Sequence, residues 1–316
     1  MESRAAPVLL TYRPWRGTLR GPWHGVLAIA RTSLYLMLRR KLFWGLYSVS
    51  AMIFFLFFYG QYLLSWLDTQ VKDDPIRLGS GLVGVTLKPK DVLPVLEKVL
   101  QLDGSGYTFR NFFNFEGQMI MIILSLAGAI LLGNDFRYGS LPFYLSKPLH
   151  RWHYLMGKFL TVGFFINLMT TIPALVLFAE CGMIKTWDYY TDNIRLLIGI
   201  LAYGAVLTVT LGLLLLATAC ELRRIVPMIM VWTAIFVFGR LLVDSLLFFV
   251  RVDARLRLFD LWNDMYLVGN WCLGMKLSSI RVQPQPPVWE AAAVLVGICV
   301  VCILSLNRRI QAVEVA

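Results

Sequence analysis

The chain has 316 residues, of which 58% are apolar and only 16% charged, with a mean hydropathy of +0.66. Ordinary soluble domains carry about 45–50% apolar and roughly 25% charged residues, so one water-soluble core cannot hide this much apolar surface, and lipid is expected to cover the rest. The net charge of +11 sits at the ends of apolar runs, a placement that suits anionic headgroups and argues against nucleic acid as a partner.

The first 41 residues carry eight Lys or Arg, ending in Arg39, Arg40 and Lys41. Arg4, Arg13, Arg16 and Arg20 leave no apolar core for a cleavable signal, so the first span is expected to act as an uncleaved anchor. Trp23, Val26, Leu27, Ala30, Leu34 and Leu38 then recur at helical spacing, with His24, Arg31 and Tyr35 on the other side. This predicts an amphipathic helix along the inner headgroup layer; a plain extension of the first span is the alternative.

A helix needs about 20 apolar residues to cross the hydrocarbon core. Six runs meet or approach that length: Leu42–Leu67, Phe112–Gly133, Phe159–Ala179, Leu196–Ala219, Ile225–Val250 and Val288–Leu306. The expected fold is an all-α membrane protein with no separate soluble domain. Residues 1–41 would be a cytoplasmic segment, 42–306 a six-span domain and 307–316 a cytoplasmic tail. Outer loops are expected at 68–111 and 251–287, with an inner link at 134–158.

Basic residues near the span ends set the orientation. The inner link carries Arg137, Lys147, Arg151 and Lys158 against Asp135 alone; Arg223 and Arg224 follow the fourth run, and Arg308 and Arg309 the sixth. The 68–111 loop is balanced, with six basic and six acidic residues. The 251–287 loop is less so, at five to three, but long loops count for little. Both termini are therefore expected in the cytoplasm, with the chain in the cytoplasmic membrane.

Catalytic signatures are missing from the sequence. It has no GxxxxGK[ST] phosphate loop, no HExxH and no GxSxG. Cys299 and Cys302 form a CxxC spacing, but inside an apolar run, where thiols act as small hydrophobes. His150 and His153 lack carboxylates or thiols to complete a metal site. No cofactor, metal or enzymatic activity is expected.

Two features inside the runs stand out. Arg240 and Asp244 interrupt the fifth run at i, i+4 spacing, which lets them partly neutralise each other on one helix face. They either line a translocation path or a chain–chain interface, or mark a span that ends near Gly239, with the remaining apolar stretch forming a re-entrant or interfacial helix. In the third run, Asn167, Thr170 and Thr171 precede Pro173 and read as support for a proline kink, with substrate contact as the alternative.

The most informative stretch is the inner link, Gly133 to Lys158, in which aromatics alternate with basic residues. A short helix around Ser140–Ser146 would lie along the membrane, Pro148 would end it, and Arg151 and Lys158 would anchor the return. Asp135, Arg137, Gly139-Ser140, Pro148, Arg151 and Gly157-Lys158 together resemble the inner loop of ABC-2-type permeases, the membrane subunits of one class of ATP-binding cassette exporters. Asp135 stands where Glu is commoner in that family, and His150 where a small polar residue is usual. The tail Arg308–Val315 also looks like the end of such permeases.

The resemblance implies a paired permease, as a homodimer or with a similar chain, that docks its inner link on a separate ATPase subunit. ATP hydrolysis would belong to that partner, and efflux to the pair. The rival reading is a stand-alone membrane channel or scaffold without an ATPase, whose inner link only meets lipid.

Overall fold

The computed structural model describes residues 21–70, 76–78, 85–87, 101–128, 151–185, 187–222, 224–250, 253–276 and 284–314. They are almost wholly helical, as hydrocarbon demands: a backbone that cannot bond to water must satisfy its N–H and C=O groups internally. In chain order come α1 (Pro22–Leu38), α2 (Lys41–Gln70), α3 (Gly106–Gly128), α4 (Arg151–Met169), α5 (Thr171–Ile184), α6 (Asp188–Asp192) and α7 (Ile194–Glu221). Then α8 (Ile225–Thr233) runs through a π turn (Ala234–Phe238) into α9 (Gly239–Val250). A 3₁₀ turn (Ala254–Phe259), α10 (Leu261–Cys272) and α11 (Val288–Glu314) complete the chain. Beside the helices, two short strands between α2 and α3 pair antiparallel. They are β1 (Ile76–Leu78) and β2 (Val85–Leu87), with Ile76 opposite Leu87.

Among the described residues, five stretches are long and apolar enough to cross a membrane: Phe43–Leu64, Trp152–Ile184, Ile194–Glu221, Val226–Phe249 and Val288–Arg308. They match the first, third, fourth, fifth and sixth runs. The chain is a multi-pass membrane protein. The second run falls on α3, which starts six residues before Phe112; residues 129–133 of that run lie outside the described set. The fifth run does not stop at Gly239, since helix continues through the π turn to Val250.

The helices are unequally covered. α4, α5 and α7 are the most enclosed of the five stretches, while α2, α8–α9 and α11 leave most of their surface open. Those open faces carry Phe55, Tyr59 and Tyr62 on α2 and Leu241, Phe248 and Phe249 on α9. Large apolar and aromatic side chains left half to mostly exposed along long helices are what a lipid-facing surface requires.

Close approach fixes the interior. α2 and α3 meet through the Phe57 and Phe112 rings, 5.5 Å apart, and through the Ser50 hydroxyl, which donates to Glu116 at 2.6 Å. Phe113 of α3 stacks on Tyr203 of α7 at 4.4 Å. Into this core slides α10, buried at Leu261–Met265 and again at Leu267–Asn270. At about 1.5 Å per residue it is too short to span. Trp262 occupies the notch that Gly117 leaves in α3, and the Tyr203 ring occupies the notch at Gly269. Neither glycine has room for a Cβ.

α1 runs lengthwise beside the first half of α4. The Trp23 ring meets His153, Ile29 and the Val26 carbonyl close on Gly157, and the Thr161 hydroxyl donates to the Ala30 carbonyl at 3.2 Å. The inward face is Val26, Ile29, Ser33 and Met37, rotated from the one the apolar spacing suggests. Trp23 and Leu27 are instead open, at 64% and 61% exposure, because more than half of the helix circumference is apolar and only one side can meet α4.

Gly117→Leu should displace the Trp262 indole and lower stability by about 1–3 kcal/mol. Gly297→Leu, at a site with nothing within 4 Å, should stay within about 0.5 kcal/mol of the parent. Thermal unfolding in detergent checks both, and an unchanged midpoint for Gly117→Leu would contradict the notch.

Candidate functional site

Of the inner-link residues singled out from the sequence, Asp135, Arg137, Gly139, Ser140 and Pro148 lie outside the described residues. Arg151 opens α4. Lys158, two turns on, is 4% exposed, with its ammonium 5.7 Å from the Tyr154 ring centroid. The sequence predicts an anchor for the returning chain at this position. Its burial follows from α1, whose close passage at Gly157 covers this side of α4. The ring face offers the cation an attractive quadrupole in place of water.

Arg240 and Asp244 do lie together. The Arg240 Nε is 3.9 Å from Asp244 Oδ2, and both side chains are about half exposed, at 46% and 45%. The second oxygen of Asp244 accepts from Arg257 Nη1 at 3.2 Å, and the Arg257 side chain is only 8% exposed. The carboxylate thus bridges two guanidinium groups from different elements, and the buried cation is the one that depends on it. Nearby in the chain, Arg255 pairs with Glu290 at 3.1 Å, tying the 3₁₀ turn to α11. Asp253 starts the 3₁₀ turn by accepting from the Arg255 amide.

In the sequence, Asp260 and Asp264 read only as loop charge. Asp260 caps α10, its Oδ1 accepting from the Trp262 amide at 3.1 Å and the Asn263 amide at 3.3 Å. This is the usual role of Asp before a helix, and the order Asp260-Leu-Trp-Asn is the signal that could have found it. Asp264, one turn later, is fully buried, and neither of its oxygens has a hydrogen-bond partner among the described residues. Burial, reinforced by the neighbouring Asp260 charge, pushes the Asp264 carboxyl well above its ordinary range, to about 8. Burial also raises Asp260, against the lowering effect of its amide donors. Asp264 therefore holds its proton at neutral pH.

A third polar group stitches α4, α5 and α7. Asn167 donates to the Gly163 carbonyl at 2.7 Å and to Thr208 Oγ1 at 2.9 Å, and accepts from Thr171 at 2.7 Å. Thr170 turns back on the Ile166 carbonyl at 2.7 Å, where α4 gives way to α5. These bonds gather Asn167, Thr170 and Thr171 around the α4–α5 break that precedes Pro173.

Among the described residues no group of three His, Cys, Asp or Glu side chains could hold a metal ion. Comparison of the sequence with protein-family models and with curated proteins gives no match. The residues and their geometry carry the functional reading.

Asp244→Ala should destabilise the chain more than Arg240→Ala. The first strands a buried guanidinium, at about 1–3 kcal/mol allowing for the half-open carboxylate; the second removes a half-exposed pair worth up to about 1 kcal/mol. Unfolding of the two variants side by side checks the order. Since the folded Asp264 pKa lies above the unfolded one, the folded chain binds more protons between pH 3.8 and about 8. Stability should then fall as pH rises through that window. In Asp264→Asn this fall should be absent, as measured by melting temperature against pH.

Proposed function

We propose that the chain is the membrane-spanning permease subunit of an ABC-2-type exporter, forming the translocation path and coupling to a separate ATPase subunit. The observation that carries this reading is the inner link. Asp135, Arg137, Gly139, Ser140, Pro148, Arg151 and Lys158 resemble in spacing an ATPase-coupling loop, and the last two of them lie in the first half of α4.

The packing of α4 supports a mechanical role for the link. A push on the link would reach Arg151, the first residue of a 19-residue helix. Because α1 is clamped to the first half of that helix, the two would move as one lever. Its far end is the α4–α5 break at Thr170, where Asn167 and Thr208 join it to α7. A rigid rod pivoting at a break would carry ATPase closure into the membrane interior.

In this reading α3 supplies the second of six spans, both termini face the cytoplasm, and the chain lies in the cytoplasmic membrane. α1 would sit at the inner headgroup layer, with Trp23 and Leu27 toward lipid. A second permease chain, identical or similar, would cover part of the open faces of α2 and α9. Arg240 and Asp244 would line the path or that interface. ATP would be hydrolysed by the partner, leaving this chain inert on its own. The rival stand-alone channel or scaffold needs no ATPase, and the two readings separate on that point.

Affinity capture of the tagged chain from its own membranes should recover an ATP-binding cassette subunit. Arg151→Glu should cut that recovery about tenfold, the effect of losing roughly 1.4 kcal/mol of contact. Capture of the parent chain with no such subunit would overturn the exporter reading. So would recovery insensitive to Arg151→Glu together with thiol labelling of the Arg151→Cys variant from outside the cell.

A further inference from the structure

An open-sided groove of about 550 Å³ runs between α1, α4 and α7. Leu27 and Leu34 of α1 face Phe159, Leu160 and Phe164 of α4 across it. The size falls inside the range of about 300–1,000 Å³ common to small-molecule sites. Its floor carries the Asn167 amide and the Thr208 hydroxyl, both already bonded inside the protein: Asn167 to Gly163, Thr208 and Thr171, and Thr208 to the Gly204 carbonyl at 2.7 Å. The floor therefore needs no polar partner from an occupant. An apolar chain fits it.

The rim differs. Arg31 lines the groove and is exposed, and among the described residues it has no ion pair and no side-chain hydrogen bond. A cation standing over an apolar slot, on helices that meet lipid, is complementary to a molecule with an anionic head and a hydrocarbon tail. Basic pockets between membrane helices take anionic lipid headgroups in this way.

We propose that this groove is a binding site for one anionic phospholipid of the surrounding bilayer, its acyl chain along the apolar walls and its phosphate on Arg31. The site rests on the membrane reading alone and is independent of ATPase coupling. Inorganic phosphate would gain nothing from the walls, and a zwitterionic lipid would set its own cation against Arg31. The open outer faces of Leu27, at 61%, and Phe164, at 45%, give a lipid lateral access from the bilayer.

Native mass spectrometry of the intact, detergent-solubilised chain tests the site, with dioleoyl-phosphatidylglycerol and dioleoyl-phosphatidylcholine as probes. The parent chain should retain phosphatidylglycerol at roughly tenfold lower concentration than phosphatidylcholine. Arg31→Glu should abolish that preference, Arg31→Gln should weaken it, and Arg39→Glu, off the groove and just past the end of α1, should leave it intact. Ala30→Trp should fill the slot and reduce retention of both lipids. Circular dichroism identifies any variant that has lost its fold, in which case Arg31→Gln carries the test. Equal retention of the two lipids by the parent, or unchanged preference in a folded Arg31 variant, would overturn the proposal. So would efficient disulfide linkage of two copies through Leu27→Cys, which would make the groove a chain–chain interface.

Discussion

In hydrocarbon, bringing two apolar helices together releases no water, so the force that builds soluble cores is missing between them. What remains is dispersion, which needs close approach, and hydrogen bonds, which need partners. The described helices are assembled on that constraint. Gly117 admits the Trp262 indole, Gly269 admits the Tyr203 ring, and Gly204 leaves its space to the Thr171 side chain. Each glycine removes a Cβ where a large or polar side chain from another helix must enter. The helices that make such contacts are central, and those that make few keep their apolar faces outward.

The same constraint explains where charge is tolerated. α10 is short, almost enclosed, and begins with the Asp260 cap, so its first amides are bonded although they lie in the interior. Arg257, just before it, is too buried to stand alone and is held by Asp244 from α9. Asp264 follows a different course: with no donor to meet it among the described residues, it stays protonated, since a neutral carboxyl costs far less to bury than a carboxylate. Three ionisable side chains within a few residues thus resolve burial by capping, pairing and protonation.

The long elements are readable in the sequence because hydropathy needs no tertiary information. Phe43–Leu64 and Val288–Arg308 fall within a few residues of where apolar runs put them. α3 begins earlier than its apolar run because Thr108 and Arg110 are polar yet buried in a helix, Arg110 bonding to Gln101. α10 reads as loop: Asn263, Asp264 and Asn270 break its apolar pattern, and their burial depends on neighbours far along the chain. The pairing of Arg240 with Asp244 is legible in their spacing, but Arg257 is not, as it joins from another element. The inward face of α1 escapes a sequence reading because nothing in its composition distinguishes the side that meets α4 from the side left open.

The π turn at Ala234–Phe238 has a geometric effect on everything after it. Winding i→i+5 inserts one extra residue into the turn, which advances the remainder of the helix by about 100° around its axis. Without that offset, Asp244 would point along a different meridian of the rod, away from the guanidinium of Arg257. A single surplus residue therefore acts as a phase shifter, aiming a carboxylate inward from a helix whose other side is oil-facing.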